Sequence, residues 1–413
     1  MSAINLPFGH GSMTVEVPDE NLASTIMSFE PEIIEDGISL IRAALKDPVN
    51  CERLSEIVTP DASVVIIVSD TTRPTPTAQM LPLIFEELHR GGVSDENITI
   101  IFALGIHRNQ TNEEMEKIVG KDIYKKIRCI EHDSTRCKNV GITSRGTPIE
   151  IFEEVLDADV VICMGNIEFH YYAGYSGGAK AILPGVSSKE SIITNHKMMI
   201  DDNASTGRVD SSVRQDMEEA AEHVGVDFLL NVVLNSKKEI VYATAGHVVD
   251  AHRMGVMQVD KMYKINIEPA DVVIVSPGGH PKDINIFQAH KALDNAKNAV
   301  VEGGTIILVA QCFEGLGNAV YEHWNNESKT PDDAIMKFKH KFEFGGHKTA
   351  LIAQLAKKYD LYLVSDLPDA DAINAFFKPA ENIQEVLDRV LNKKPDAKVC
   401  IMPYGGLTLP VSC

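Results

Sequence analysis

Residues 62–76 read ASVVIIVSDTTRPTP. Val64 to Val68 form an unbroken apolar run rich in β-branched side chains, the pattern of a strand buried on both faces. The run stops at Asp70-Thr71-Thr72-Arg73-Pro74-Thr75-Pro76, a polar loop, and Thr77 to Arg90 then reads as a helix closed by Gly91-Gly92. The same strand, loop and helix recur. Ile98 to Leu104 is followed by Gly105-Ile106-His107-Arg108-Asn109-Gln110 and a helix from Asn112 to Val119. Asp159 to Met164 is a third strand, and the loop after it carries His170. Alternating strands and helices imply an α/β fold with mostly parallel sheets. Ligands bind such sheets beyond the carboxyl ends of the strands, where these loops lie.

The pattern continues with a helix over Val213–Val224, strands over Asp227–Leu234 and Glu239–Thr244, and a helix from His247 to Tyr263. A new unit opens with strand Asp271–Ser276, helix Asn285–Ala299 and strand Thr305–Ala310. Helices near 331–340, 346–358 and 381–392 follow, with strands at 360–364 and 398–402. Residues 3–17 suit an opening strand or hairpin. The expectation is two α/β domains, 1–268 and 269–402, with an active-site cleft between them and the tail 403–413 returning to the first.

Composition narrows the partners. Of 413 residues, 44% are hydrophobic and 24% charged, and the formal net charge is −20. That charge argues against nucleic acid or an anionic membrane as partner. No apolar run approaches the length of a spanning helix, and the first twenty residues lack a basic and an apolar signal region. Seven scattered cysteines form no C-x-x-C pair, so neither a disulfide framework nor a zinc site is expected. The cytoplasm is the expected compartment, and a small molecule the expected partner.

The chemistry concentrates in Asn166–His196, NIEFHYYAGYSGGAKAILPGVSSKESIITNH. Placing the P-loop pattern on Gly174 puts Ala179 where its second glycine belongs and Ala181 where Ser or Thr should hold magnesium, so a nucleotide-triphosphate cradle is rejected. Lys180, among small residues, suits a covalent anchor, because desolvation frees its amine as a nucleophile; the bland alternative is a surface lysine. His107 and His170 sit on separate strand-end loops and suit acid–base work from two faces of a substrate, although any one loop histidine is more often structural. His196 lacks the second histidine of a protein-only zinc site, yet one imidazole could complete a metal otherwise held by a cofactor. Arg73 and Lys291 could bind a carboxylate, with Gln288 on the same helix face as Lys291 and Asp70 in support.

The ordered set Asp70–Pro76, Gly105–Arg108, His170–His196 with SGGAK and LPG, Pro281–Asn285, Gln288, Lys291 and Ala292–Ala296 resembles the lactate racemase family, the nickel-pincer 2-hydroxyacid racemases and epimerases. The resemblance implies a nickel-pincer nucleotide, a pyridinium mononucleotide, held by Lys180 through a thioamide, with His196 as the protein's ligand to nickel. It implies His107 and His170 as acid and base while the Cα hydride passes to the cofactor ring and returns to either face. It implies Arg73, Gln288, Lys291 and Tyr172 around the substrate. Asp70, Thr71, Thr72, Ser176, Gly177 and Gly178 would lie about the cofactor, and cofactor-biosynthesis proteins would load it. None of these motifs encodes an oligomeric state.

The chain departs from the family where substrate is chosen. Asn109-Gln110-Thr111 follows His107-Arg108, Tyr171-Tyr172 follows His170, and Phe342–His347 holds no Trp. These changes imply an acid larger or more polar than lactate, such as a sugar acid or a dicarboxylate. Lactate racemisation proper, a lysine Schiff-base enzyme, and a non-catalytic carrier of the cofactor or of a hydroxy acid stand as alternatives.

Overall fold

A computed structural model describes residues 1–27, 33 and 35–412; Cys413, the end of the expected tail, lies outside them. The chain forms two compact units, Glu30–Met262 and Met1–Phe29 with Tyr263–Cys413.

The first unit is built on a six-stranded sheet. Its strands run in the order Ile240–Gly246, Phe228–Leu234, Val160–Ile167, Val64–Ser69, Ile98–Ala103 and Arg128–Glu131. All neighbours are parallel except the edge hairpin of the first two. The central strands are apolar because both faces are covered: Ile66, Ile100 and Ile162 are wholly buried, packed with Met80, Leu81, Ile84 and Leu88 of helix Thr77–Arg90. Val160–Ile167, Val64–Ser69 and Ile98–Ala103 are adjacent, so their following loops meet at one end of the sheet. The helix Asn112–Val119 starts with a capping box between Thr111 and Glu114. Lys189–Lys197 is capped by Ser188, whose Oγ accepts from the Ser191 amide at 3.1 Å.

The second unit has its own six-stranded sheet, all parallel, in the order Lys378–Ala380, Asp360–Val364, Val300–Val309, Ala270–Val275, Val399–Met402 and Leu22–Thr25. Its last strand comes from the beginning of the chain. The hairpin Ser2–Phe8 with Gly11–Val17 packs Leu6, Val15 and Val17 against Val272, Ile274 and Ile401.

Both units are α/β with mostly parallel sheets, as expected, but the division of the chain differs. The opening residues were expected with the first domain, 1–268; they belong to the other unit because Leu22–Thr25 pairs with Val399–Met402. The tail was expected to return to the first domain. Leu409–Ser412 does pair in parallel with Lys264–Ile267, inside the bounds 1–268, but that strand belongs to the second unit. The sequence reading also passed over Arg128–Glu131, the hairpin Cys137–Ile142 with Pro148–Phe152, and the helix Ala319–Glu327, all short or strongly polar.

Asn21 stitches the chain's beginning to its end. Its side-chain amide donates to the carbonyls of Pro395 at 2.8 Å and Ala397 at 2.9 Å while it is only 3% exposed. Asn21→Ala should therefore destabilise the second unit by about 1–3 kcal/mol, the cost of orphaned buried carbonyls, read as a lower urea midpoint with unchanged slope.

Candidate active site

Three loops converge at the carboxyl end of the first unit's sheet. In the first, Asp70 is 4% exposed and accepts from the Thr72 amide at 3.0 Å and hydroxyl at 2.6 Å. Its other oxygen meets His107 Nδ1, from the second loop, at 2.5 Å. Burial pushes the Asp70 carboxyl up, but the hydrogen bonds from His107 and Thr72 outweigh it and hold the group below the ordinary carboxylate range. Because Asp70 takes Nδ1, the other ring nitrogen of His107 is left to face a reactant. The Thr71 amide donates to Gln110 Oε1 at 2.7 Å, and Thr75 Oγ1 donates to Asn166 Oδ1 at 2.8 Å. The first loop is thus tied to both neighbours.

The third loop, after Val160–Ile167, folds into a two-residue hairpin, Phe169–His170 with Gly174–Tyr175, and a 3₁₀ turn at Gly178–Ala181 that carries Lys180. Its conformation is set from behind. Arg214 is completely buried and donates to the carbonyls of Ala173 at 3.2 Å, Gly177 at 3.1 Å and Tyr175. His252 Nε2 donates to the Ser176 carbonyl at 2.8 Å. Gly177 and Gly178 have φ of +70° and +58°, and an added Cβ would stand 2.6 Å from Asn231 Oδ1 or 2.8 Å from the His252 ring. These glycines let the loop press against Asn231 and His252.

Charge explains the protonation states. Burial, then the charges of Arg73 and Arg214, push the Lys180 amine well below its ordinary value, so the neutral nucleophilic form is favoured. Burial first, with the charges of Arg73 and Arg214 in support, likewise pushes the His170 imidazole well below its ordinary value. His196 is pushed down to about 3, by burial first and by Lys180 second. Its Nε2 lies 2.8 Å from the Tyr172 hydroxyl, and the Lys180 amine stands 5.4 Å from the centre of the Tyr172 ring. His170 meets the same ring edge-on at 4.5 Å. Lys180, His170 and His196 therefore gather around one tyrosine, with Arg73 acting on the first two.

Some expected roles meet other partners. Tyr172, expected at the substrate, is 7% exposed and spends its hydroxyl on His196. Ser176, expected near the cofactor, donates its hydroxyl to the Asn166 carbonyl and accepts from the Glu168 amide. The Gly178 amide donates to Asn231 Oδ1. The Ser176 amide donates to the Glu168 carbonyl at 2.8 Å, so Ser176 and Gly178, expected about the cofactor, also hold the loop. The Thr72 hydroxyl is taken by Asp70, while Thr71 remains exposed. In the second unit, Gln288 and Lys291 are exposed on one face of helix Ile286–Ala296, whose cap Asn285 accepts from the Gln288 amide at 3.0 Å. The sequence reading did not identify Arg214, His252, Asn195 or Asp216, which shape the loop and orient His196.

Among the described residues no cluster of His, Cys, Asp or Glu could hold a metal alone, and no helix is long and apolar enough to cross a membrane. The donor set does fit a metal brought by a cofactor: one neutral imidazole, and one neutral amine to fix an organic group beside it. A cavity of about 570 Å³ borders His107 and is lined by Asn109, Glu131, His132, Asp133, Ser134 and Lys189 among others.

The chain is similar to known proteins over nearly its whole length. Two family models match, the lactate racemase N-terminal domain over residues 8–207 and the lactate racemase C-terminal domain over 265–409. A lactate racemase of Thermoanaerobacterium thermosaccharolyticum is 33% identical over 98% of both chains, and one of Lactiplantibacillus plantarum is 31% identical over 98% of this chain and 99% of that one. The solved lactate racemase apoprotein from the former organism superimposes with a TM-score of 0.90 at 30% identity, covering 99% of this chain and 100% of that one. A Thermotoga maritima protein shares the fold, with a TM-score of 0.63 at 18% identity over 92% and 99% of the two chains.

Two measurements test this construction. Arg214→Met should strand three buried carbonyls and cost about 3–5 kcal/mol in denaturant unfolding. His132, 4% exposed, is pushed down to about 4 from an ordinary 6.5, chiefly by burial. The unfolded chain then takes up the proton first, so stability present above pH 6.5 is lost as pH falls toward 4. The melting temperature should drop across that window, and less steeply in His132→Gln.

Proposed function

The chain belongs to the lactate racemase family, a family of isomerases, and from that premise we propose that it interconverts the configurations of a 2-hydroxy acid with a nickel-pincer nucleotide anchored at Lys180. The observation that carries the reading is the grouping of Lys180, His170 and His196 around Tyr172. The neutral Lys180 amine is the form that would anchor the cofactor. His196 supplies an imidazole nitrogen to nickel. When bound, the cofactor's pyridinium ring supplies a hydride acceptor and donor for the substrate carbon.

The remaining work falls to the protein. Arg73 binds the substrate carboxylate, for which it offers a bidentate fork. His107 is oriented by Asp70 and presents its other ring nitrogen as base, the arrangement in which a carboxylate fixes the working tautomer of a histidine. His170, neutral beside Lys180 and Arg73, takes the same proton from the opposite enantiomer. Two bases on two loops suit a reaction that must run from either face.

The substrate reading rests on the wall near His107. Asn109 donates to Glu131 at 2.7 Å, and both line the polar cavity there. Such a wall suits a sugar acid or dicarboxylate better than the methyl group of lactate. Lactate is the second reading, favoured by the names of the two relatives. A carrier without turnover has no use for the Asp70–His107 pair.

Loaded protein, verified by nickel content and by an adduct mass that Lys180→Ala abolishes, should be assayed on a panel of hydroxy acids. His107→Asn and His170→Asn should each lower turnover by roughly 100- to 10,000-fold. Lactate as the best substrate would sink the substrate reading. Loaded protein that interconverts no hydroxy acid would leave the carrier.

A further inference from the structure

His196 is held on two sides, and the bonding behind it decides which of its nitrogens carries a proton. Asn195 is completely buried. Its side-chain nitrogen donates to Asp216 Oδ2 at 2.8 Å and to the Val213 carbonyl at 3.1 Å. Both partners are acceptors, so the amide cannot be turned over. Its oxygen therefore faces His196 Nδ1, at 3.1 Å. An amide oxygen only accepts, so Nδ1 must carry the hydrogen and Nε2 must carry the lone pair. Asp216 is itself fixed: it is buried, and its other oxygen accepts from Thr143 Oγ1 at 2.5 Å, while that hydroxyl accepts from the Thr147 amide at 3.0 Å. In front, the Tyr172 hydroxyl lies 2.8 Å from Nε2 and is placed to donate to it.

We infer that Asn195, backed by Asp216, is the positioning residue that fixes His196 with its lone pair on Nε2, and that the Tyr172 hydroxyl covers this lone pair until a metal takes it. Metal-binding histidines commonly donate their other ring nitrogen to a fixed acceptor, which sets the tautomer and the ring plane. Here the acceptor is an amide oriented by a buried carboxylate, so the ligating nitrogen of the neutral ring is set before any metal arrives. Tyr172 must then exchange one hydrogen bond when nickel binds. The inference rests on the reading of His196 as a metal ligand only for that consequence; the tautomer belongs to the protein by itself.

The test uses the full-length unloaded protein with isotope-labelled histidine. Long-range nitrogen–proton correlations at neutral pH distinguish the two neutral tautomers, and His196→Gln assigns the signal. The wild type should show the proton on Nδ1, and Tyr172→Phe should keep it there. Asn195→Leu should move it wholly or partly to Nε2, where it can bond to the Tyr172 oxygen. Asp216→Asn, a milder change, should give a mixture, since the Asn195 amide can then turn over. After loading, Asn195→Leu should lose nickel roughly 10- to 100-fold more readily than wild type, and Tyr172→Phe should retain it at least as well. A wild-type proton on Nε2, or an unchanged tautomer in both folded variants, overturns the inference. If the tautomers behave as stated but His196→Gln retains nickel as well as wild type, the ligand assignment fails and the positioning of His196 stands.

Discussion

One guanidinium holds the site together. Arg214 is wholly buried and gives its hydrogens to three carbonyls of the loop between Phe169 and Lys180. A buried arginine is costly unless its donors are met, and these backbone acceptors meet them without a full ion pair. Glu218, the nearest acid, stands at 4.0 Å. Because the carbonyls turn inward toward Arg214, with that of Ser176 turned toward His252, the loop has little freedom left. Lys180, His170 and Tyr172 are carried on it, so their mutual placement follows from this contact.

The same arginine shapes the chemistry. It retains its charge even though burial lowers it to about 10, and it acts on Lys180 and His170 alike. Arg73 adds to this from the first loop. Two fixed cations beside a buried lysine make the protonated amine the unfavourable form, and the neighbouring imidazoles follow. A chain with a net charge of −20 has here gathered positive charge in one place. Such a place favours an anion, and it disfavours the protonated form of the Lys180 amine.

How much was legible beforehand follows from periodicity. The runs VVIIV and ITIIF announce buried strands, and the loops after them could be expected at one edge, so Asp70, Arg73, His107 and His170 were placed by rule. Lys180 and His196 were candidates by their surroundings, each with a bland alternative, and only the resemblance of their motif gave them roles. Arg214 did not stand out at all. It lies in SVRQDMEEAAEHV, which reads as an amphipathic helix with its charges toward water; it is buried only because the loop from Ala173 to Gly177 covers it. Asn195 and Asp216 are hidden for the same reason, since their value lies in a contact between two helices and they stand 21 residues apart in the chain. The division of the chain was missed because Leu22–Thr25 is four residues with no apolar run, recognisable as a strand only beside Val399–Met402.

The glycines have a second physical basis besides the one their motif announced. Gly177 and Gly178 were expected about the cofactor; each is also required because a side chain would strike Asn231 or His252. Their small size lets the loop sit close enough for Arg214 and His252 to reach its carbonyls. Once those carbonyls point inward, the side chains of His170 and Lys180 are brought to the Tyr172 ring. The glycine-rich signature is thus a condition for anchoring the lysine, and its physical meaning is close packing behind the loop.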